Sequence, residues 1–245
     1  MCEKCEPGYG FKGFIDLPKP QAVTPAGPWL DLTHKVSPTM PFASIFKPPS
    51  FKRLREMPKE PFQVTEMEMV VHAGTHVDSP RHYYLDGPDM ADVPLERLCG
   101  PGVVWRIQAE PNQQIDVDKL EAARPRVRPG DIVAIDTGWA ARVGTEDYEH
   151  HPSLTAAAAK WLLDQRIKLF ACDFATPDLV YHLRKPGFNW PVHHTLLSNG
   201  ILVAEHLTGH AALAGRRAEF FFGALPIVDC DGGPSRVMAR AIQDE

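Results

Sequence analysis

Apolar and polar positions along this 245-residue chain change period several times. GVVWRI at 102–107, DIVAIDTGW at 131–139 and KLFACDF at 168–174 are apolar along most of their length and bounded by Gly, Pro or charged residues. Short continuous apolar runs of this kind describe strands covered on both faces. ILVAE at 201–205, FFFGALPIV at 220–228 and RVMARAI at 236–242 predict three later strands, and VTEMEMVV at 64–71 predicts an earlier one. Between them, Asp116 to Ala123 and Thr155 to Arg166 carry helical spacing. Ser153 or Thr155 is placed to cap the second helix, whose faces are mapped by Ala158, Trp161, Leu162 and Gln165. His193 to Asn199 predicts a short helix stopped by Gly200. Strands and helices mixed at short intervals indicate an α/β domain.

Two stretches have no period. Residues 1–28, rich in Pro and Gly, read as an N-terminal arm that packs across a neighbouring subunit or stays free. Pro41 to Pro61 reads as a long loop whose neighbourhood carries Phe42, Phe46, Phe51 and Phe62; such rings line a pocket or bury on the core. Residues 29–245 then form one domain, long enough for a well-buried core.

Charge narrows the partners. A net charge of −5, a pI near 6.1 and scattered basic residues supply no field for nucleic acid or an anionic membrane, so neither is expected as a partner. No apolar run reaches eighteen residues and MCEKCEPGYG lacks a leader's apolar stretch, so the expected location is cytoplasmic. Five scattered cysteines predict reduced thiols; Cys2 and Cys5 form a CxxC without a second pair.

The chemistry concentrates in HAGTHVDSPRHY at 72–83. His72, His76 and Asp78 offer two imidazoles and a carboxylate, a donor set for zinc, manganese or iron, and no thiolate, which argues for an open catalytic site over a structural knuckle. Gly74 permits a sharp turn and Pro80 stops a helix, so the segment is a loop that gathers side chains. If it begins as a strand, His72, His76 and Asp78 share a face, joined by His82. A single histidine here would be unremarkable as a surface or core residue; four such groups together read as a metal site. Trp139, Tyr83 and Tyr84 offer aromatic walls for a substrate or simply core, and Arg81 is placed to pair a substrate carboxylate. A Ser/His/Asp hydrolase is excluded by the absence of G-x-S-x-G.

HAGTHVDSPRH resembles the HxGTHxDxPxH signature of the cyclase family of metal-dependent hydrolases, which includes bacterial kynurenine formamidases and isatin hydrolases. WLDLTHKV, LERLCGPGVVW, RPGDIVAIDTGW, EHHPSLTAAAAKWLLDQRIKLFACDFATPD and HHTLLSNGILVAEHL follow the family in the same order, so the likeness spans most of the chain. It implies a cyclase-like β/β/α single domain of the swivelling-domain type, assembled as a homodimer or homotetramer. It implies that His72, His76 and Asp78 bind metal and that His82 transfers protons. In formamidase-like members a second ion is shared by the aspartate, a later histidine and a glutamate twelve residues on; His193 and Glu205 keep that interval, and His194 does not. Isatin hydrolase-like members use one ion, so one or two divalent ions, Zn2+ or Mn2+, are expected per chain. Asp173, Thr176 and Asp178 match a family stretch in which Thr176 replaces the usual serine.

The implied activity is hydrolysis of a carbon–nitrogen bond in an aromatic amide, aryl formamide or lactam. Two readings stand beside it: a metal-dependent lyase or cyclase acting by Lewis-acid polarisation, and a non-catalytic metal-binding homologue.

Overall fold

The computed structural model describes residues 8–19 and 22–243. In chain order the elements are β1 (Leu30–Asp31), β2 (Ser50–Arg55), β3 (Val64–Glu68), β4 (His76–Asp78), α1 (Leu95–Leu98), β5 (Cys99–Arg106), β6 (Gln114–Ile115), α2 (Val117–Ala122), β7 (Ile132–Asp136), β8 (Ser153–Leu154), α3 (Ala156–Asp164), β9 (Leu169–Cys172), α4 (Pro191–Leu197), β10 (Leu202–Glu205), β11 (Arg216–Ala224) and β12 (Gly232–Ala241). Strands run in the order β12, β11, β5, β7, β9, β10, β4, and β4 pairs again with the start of β12, so the sheet closes into a seven-stranded barrel, with β1 pairing farther along β12 at Met238 and Ala239. Closure removes the free edges of the sheet. The β5–β7, β7–β9 and β9–β10 pairs are parallel, and the pairs through β11, β12 and β4 are antiparallel.

The apolar runs read as continuous because alternate residues serve two different cores. Ile132, Ala134, Leu169, Ala171, Leu202 and Ala204 join Val77, Phe220, Phe222 and Val237 inside the barrel. Val133, Ile135, Phe170, Cys172 and Val203 point outward, to Leu120, Leu162 and Leu196 of the helices. Asp116 caps α2 by accepting from Val117 N, and Thr155 caps α3 by accepting from Ala158 N. α4 begins two residues before the predicted start because Pro191 is accommodated in a first turn.

The tract from Pro41 to Pro61 differs from its reading as a loop. It contains β2, which pairs with β3 in a separate two-stranded ribbon. The predicted strand at 64–71 therefore belongs to that ribbon, stops at Glu68, and reaches the metal loop through a turn. Every ribbon residue is exposed, so no buried face imposes a readable alternation. β11 also begins earlier than predicted, at Arg216, whose paired stretch is polar outward. The described part of the N-terminal arm lies on its own chain: Lys12 N and Ile15 N donate to Ser198 O and Asn199 O, and Phe11 and Ile15 pack against the helix-side core. Cys2 and Cys5 lie outside the described residues.

Candidate metal centre and active site

β4 and β10 place three of the polar side chains. Register pairs Glu205 with His76 and Val203 with Asp78. Because Val77 and Ala204 point into the barrel, their neighbours His76, Asp78 and Glu205 point out, toward α4. His72 sits on the preceding turn, where Gly74 holds a φ of 67° and a Cβ would meet Met40 Sδ at 2.8 Å. Gly232, paired with Asp78 from β12, leaves room for the His72 ring, whose Cε1 lies 3.0 Å from where a Cβ would stand.

His76 and His193 are each oriented through Nδ1, and His72 through both ring nitrogens. His76 Nδ1 donates to Gly74 O at 2.8 Å, which turns Nε2 toward Asp78 Oδ1 at 3.3 Å and Glu205 Oε2 at 3.4 Å. His193 Nδ1 donates to Asp178 Oδ2 at 2.6 Å, which turns Nε2 toward Asp78 Oδ2 and Glu205 Oε1, both at 3.4 Å. Asp178 also accepts from Val192 N and His193 N, so one carboxylate fixes both the start of α4 and its histidine. His72 Nδ1 donates to Asp78 Oδ1 at 2.8 Å, and its Nε2 donates to Asp231 Oδ2 at 2.7 Å. Asp231 Oδ2 accepts again from His82 Nδ1 at 3.3 Å, and the His72 and His82 rings lie 4.1 Å apart.

The donors fit a divalent ion. His76 Nε2 and Asp78 Oδ2 are buried without a hydrogen-bond partner, an arrangement that is costly unless something else satisfies them. The nitrogen–oxygen separations of 3.3–3.4 Å are long for hydrogen bonds between ionised groups. Two atoms each about 2.0–2.1 Å from a zinc ion at a tetrahedral angle stand about 3.4 Å apart, which is the spacing seen here. That spacing joins His76, Asp78, His193 and Glu205, and His72, with Nδ1 2.8 Å from Asp78 Oδ1, makes a close group of ligand atoms with His76 and Asp78. His193 Nε2 stands 3.4 Å from both Asp78 Oδ2 and Glu205 Oε1, and Asp78, His82 and His193 form a further close group of ligand atoms.

Without an ion the cage is held by protons. Burial opposes charge on His72 and His76, but Asp78 with Asp231, and Asp78 with Glu205, outweigh it and raise them to about 9 and about 10. Burial also opposes ionisation of Asp78 and Glu205, yet the imidazoles hold Asp78 well below the carboxylate range and bring Glu205 to about 2. His82 is different: burial lowers it despite Asp231, which favours a neutral ring. His206, following Glu205 with φ of 56°, is pushed to about 3 by burial and by His76, and its Nδ1 meets Tyr148 Oη at 2.6 Å.

The cage opens on a cavity of about 210 Å³ lined by His72, His82, His193, Glu205 and His206 together with Phe46, Tyr83, Thr176, Tyr181, Arg184 and Trp190. A cavity of about 150 Å³ holds a benzene ring, so this one takes a single substituted ring. Tyr83 stacks on His193 with ring centres 5.1 Å apart. Trp139 and Arg81 are placed elsewhere. Trp139 is buried in the helix-side core with Nε1 donating to Tyr148 O, and neither residue lines the cavity. Of the four phenylalanines around the proline-rich tract, only Phe46 reaches it; Phe51 and Phe62 are exposed on the ribbon and its turn. Asp173 faces away, accepting from Thr137 N, Thr137 Oγ1 and Trp139 N. A buried group of Asp136, Asp173 and His210 has its carboxylates already engaged by Gly138 N, Arg106 and those same donors.

Sequence reasoning missed Asp231, Tyr181, Arg184 and Trp190. Asp231 lies 159 residues from His72 and arrives on the turn entering β12, and no local spacing signals it. Arg184 and its rings belong to the irregular segment before α4, where polar and aromatic residues have no period to read.

The comparisons agree with this architecture. Kynurenine formamidase of Geobacillus thermodenitrificans is 26% identical over 215 residues, covering 87% of this chain and 97% of that protein. The Salinibacter ruber kynurenine formamidase is 29% identical over 188 residues, covering 73% and 80%. Isatin hydrolase A from Labrenzia aggregata, solved with benzyl benzoate, superposes with a TM-score of 0.79 at 23% identity, covering 88% and 94%. The model of the Cyclase family, described as "Putative cyclase", matches residues 30–179, a span that takes in β4, the parallel strands β5, β7 and β9, and Asp178. With more than half of its length matched and the metal-loop signature intact, the chain belongs to the cyclase family.

Proposed function

We propose that this protein is a metal-dependent hydrolase that cleaves the carbon–nitrogen bond of a small aromatic amide, aryl formamide or lactam. The observation that carries the reading is the pair of unpartnered buried atoms, His76 Nε2 and Asp78 Oδ2, held beside His72, His193 and Glu205, which line an aromatic cavity. The named activities of the formamidase and isatin hydrolase relatives support it. His72, His76 and Asp78 would hold one ion, and Asp78, His193 and Glu205 a second, with zinc or manganese suited to these ligands.

A divalent ion bound here supplies Lewis-acid chemistry, lowering the pKa of a water from about 15.7 to about 7 and polarising a carbonyl. His82 handles the proton. Asp231 accepts from its Nδ1, which leaves Nε2 with a free lone pair, and burial keeps the ring neutral. Nε2 takes a proton from the attacking water and returns it to the leaving nitrogen as the carbon–nitrogen bond breaks. Water and amide are consumed, and a carboxylic acid and an amine are formed. Tyr83, Phe46 and Trp190 provide the walls against which an aryl group packs.

We further infer a cytoplasmic oligomer. Among the described residues no helix is long and apolar enough to cross a membrane. The ribbon of β2 and β3 exposes Phe51, Leu54, Val64 and Met67, and a lone two-stranded ribbon is marginal in water, so a second subunit is the natural cover.

The test is turnover of formanilide and isatin in water enriched in oxygen-18. The reading predicts one solvent oxygen in the acid product, with activity lost to a chelator and restored by zinc or manganese. Product without solvent oxygen would identify a lyase instead.

A further inference from the structure

One cavity residue carries a half-buried charge that pairs with no carboxylate among the described residues, and one of its N–H groups is buried without a partner. Arg184 Nε donates to Leu179 O at 2.6 Å, and its guanidinium lies 3.8 Å over the Tyr181 ring, 5.1 Å from Phe188 and 5.6 Å from Trp190. One backbone bond and three rings therefore fix the plane of the fork. Nη1 is buried and has no hydrogen-bond partner, and among the described residues no carboxylate forms an ion pair with this side chain.

The nearby acids are already engaged. Asp178 is used by Val192 N and by His193 through both its backbone N and Nδ1, and Glu205 faces His76 and His193. Stacking on aromatic faces stabilises the cation but cannot accept its N–H groups. A buried donor left unmade costs about 1–3 kcal/mol, and more when it is charged. A water would satisfy the N–H and leave the charge unneutralised. A carboxylate supplies both, because its two oxygens match the guanidinium fork.

We propose that Arg184 is the specificity-determining residue of this cavity and that the substrate class is aryl amides bearing a carboxylate. The proposal rests on the hydrolase reading above for the reaction and on the Arg184 geometry for the selectivity. The cavity of about 210 Å³ accommodates one ring, and a carboxylate carried on that ring or on a short arm would lie within reach of Arg184. Tyr181 and Trp190 flank the fork and hold the ring beside it.

The probes are the three formamidobenzoate isomers and their methyl esters, assayed with the metal-loaded full chain. The wild type is expected to prefer at least one acid over its ester by tenfold or more in kcat/KM. Arg184→Gln is expected to bring that ratio near one, chiefly through the KM of the acid. Arg184→Lys keeps the charge without the fork, is the gentler replacement for folding, and is expected to lie between. A ratio unchanged in both variants would overturn the proposal. Calorimetric titration with benzoate separates this result from failure of the hydrolase reading. If no formamide is hydrolysed, benzoate should still bind the wild type at least tenfold more tightly than Arg184→Gln, and equal affinities would overturn the proposal.

Discussion

Replacing Asp231 by alanine removes one carboxylate oxygen on which two imidazoles depend. His72 presents Nδ1 to Asp78 while its Nε2–H is held by Asp231 at 2.7 Å, and His82 Nδ1 is held by the same oxygen at 3.3 Å. Losing the carboxylate that orients a ligating histidine weakens metal binding by about 10–100-fold, or about 1.4–2.7 kcal/mol. The Asp231 side chain is 43% exposed, so water replaces part of what is lost and the lower end, about tenfold, is expected.

A second effect opposes the first at neutral pH. Burial pushes the His72 proton off, and Asp78 with Asp231 reverses this to about 9, so the wild type must shed that proton to bind metal and the variant sheds it more easily. Zinc affinity, measured by competition with a chromophoric chelator, should therefore fall more at pH 9 than at pH 7. Dissociation constants agreeing within about twofold at pH 9 would refute the orienting role of Asp231.

Other outcomes follow from the same geometry. His82→Ala should retain its metal and lose about 10²–10⁴-fold in kcat, read by steady-state kinetics beside metal analysis; near wild-type turnover would dismiss the proton transfer. In the metal-free protein His72 and His76 stand at about 9 and about 10, above the unperturbed value of about 6.5, so the stability they add is full below about pH 6.5 and is lost as pH rises through 9 to 10. Denaturant midpoints of the chelated protein across that range check the sign. Gly102→Ala should cost at least about 1–3 kcal/mol in thermal unfolding, since overpacking carries about that cost and the new Cβ would stand 2.0 Å from Ile132 O in the adjacent strand. An unchanged melting temperature would mean that β5 and β7 do not pair in this register.

The sequence made local chemistry legible and left most long-range chemistry hidden. His72, His76, Asp78 and His82 lie within eleven residues, and the fold brings them together as one loop and one short strand. His193 and Glu205 were located through the resemblance, and the reason they meet Asp78 is the β4–β10 register, which no local pattern reveals. Strands β7, β9 and β10 were readable because each is buried on both faces. β2 was not, because an exposed ribbon between prolines has no buried face to set a period. Trp139 was a reasonable aromatic for a pocket, yet the turn after β7, braced by Asp173, directs it into the core. Arg184 and Asp231 reach the cavity from segments distant from the metal loop, and each is identified by a specific partner or the lack of one.

The central claim is that His72, His76, Asp78, His193 and Glu205 hold divalent metal. Elemental analysis of tag-free protein beside a His76→Ala variant tests it most directly. One or two equivalents of zinc or manganese per chain are expected in the wild type, with a clear loss in the variant. Protein that takes up no metal after reconstitution, or a variant that retains the full complement, would contradict it.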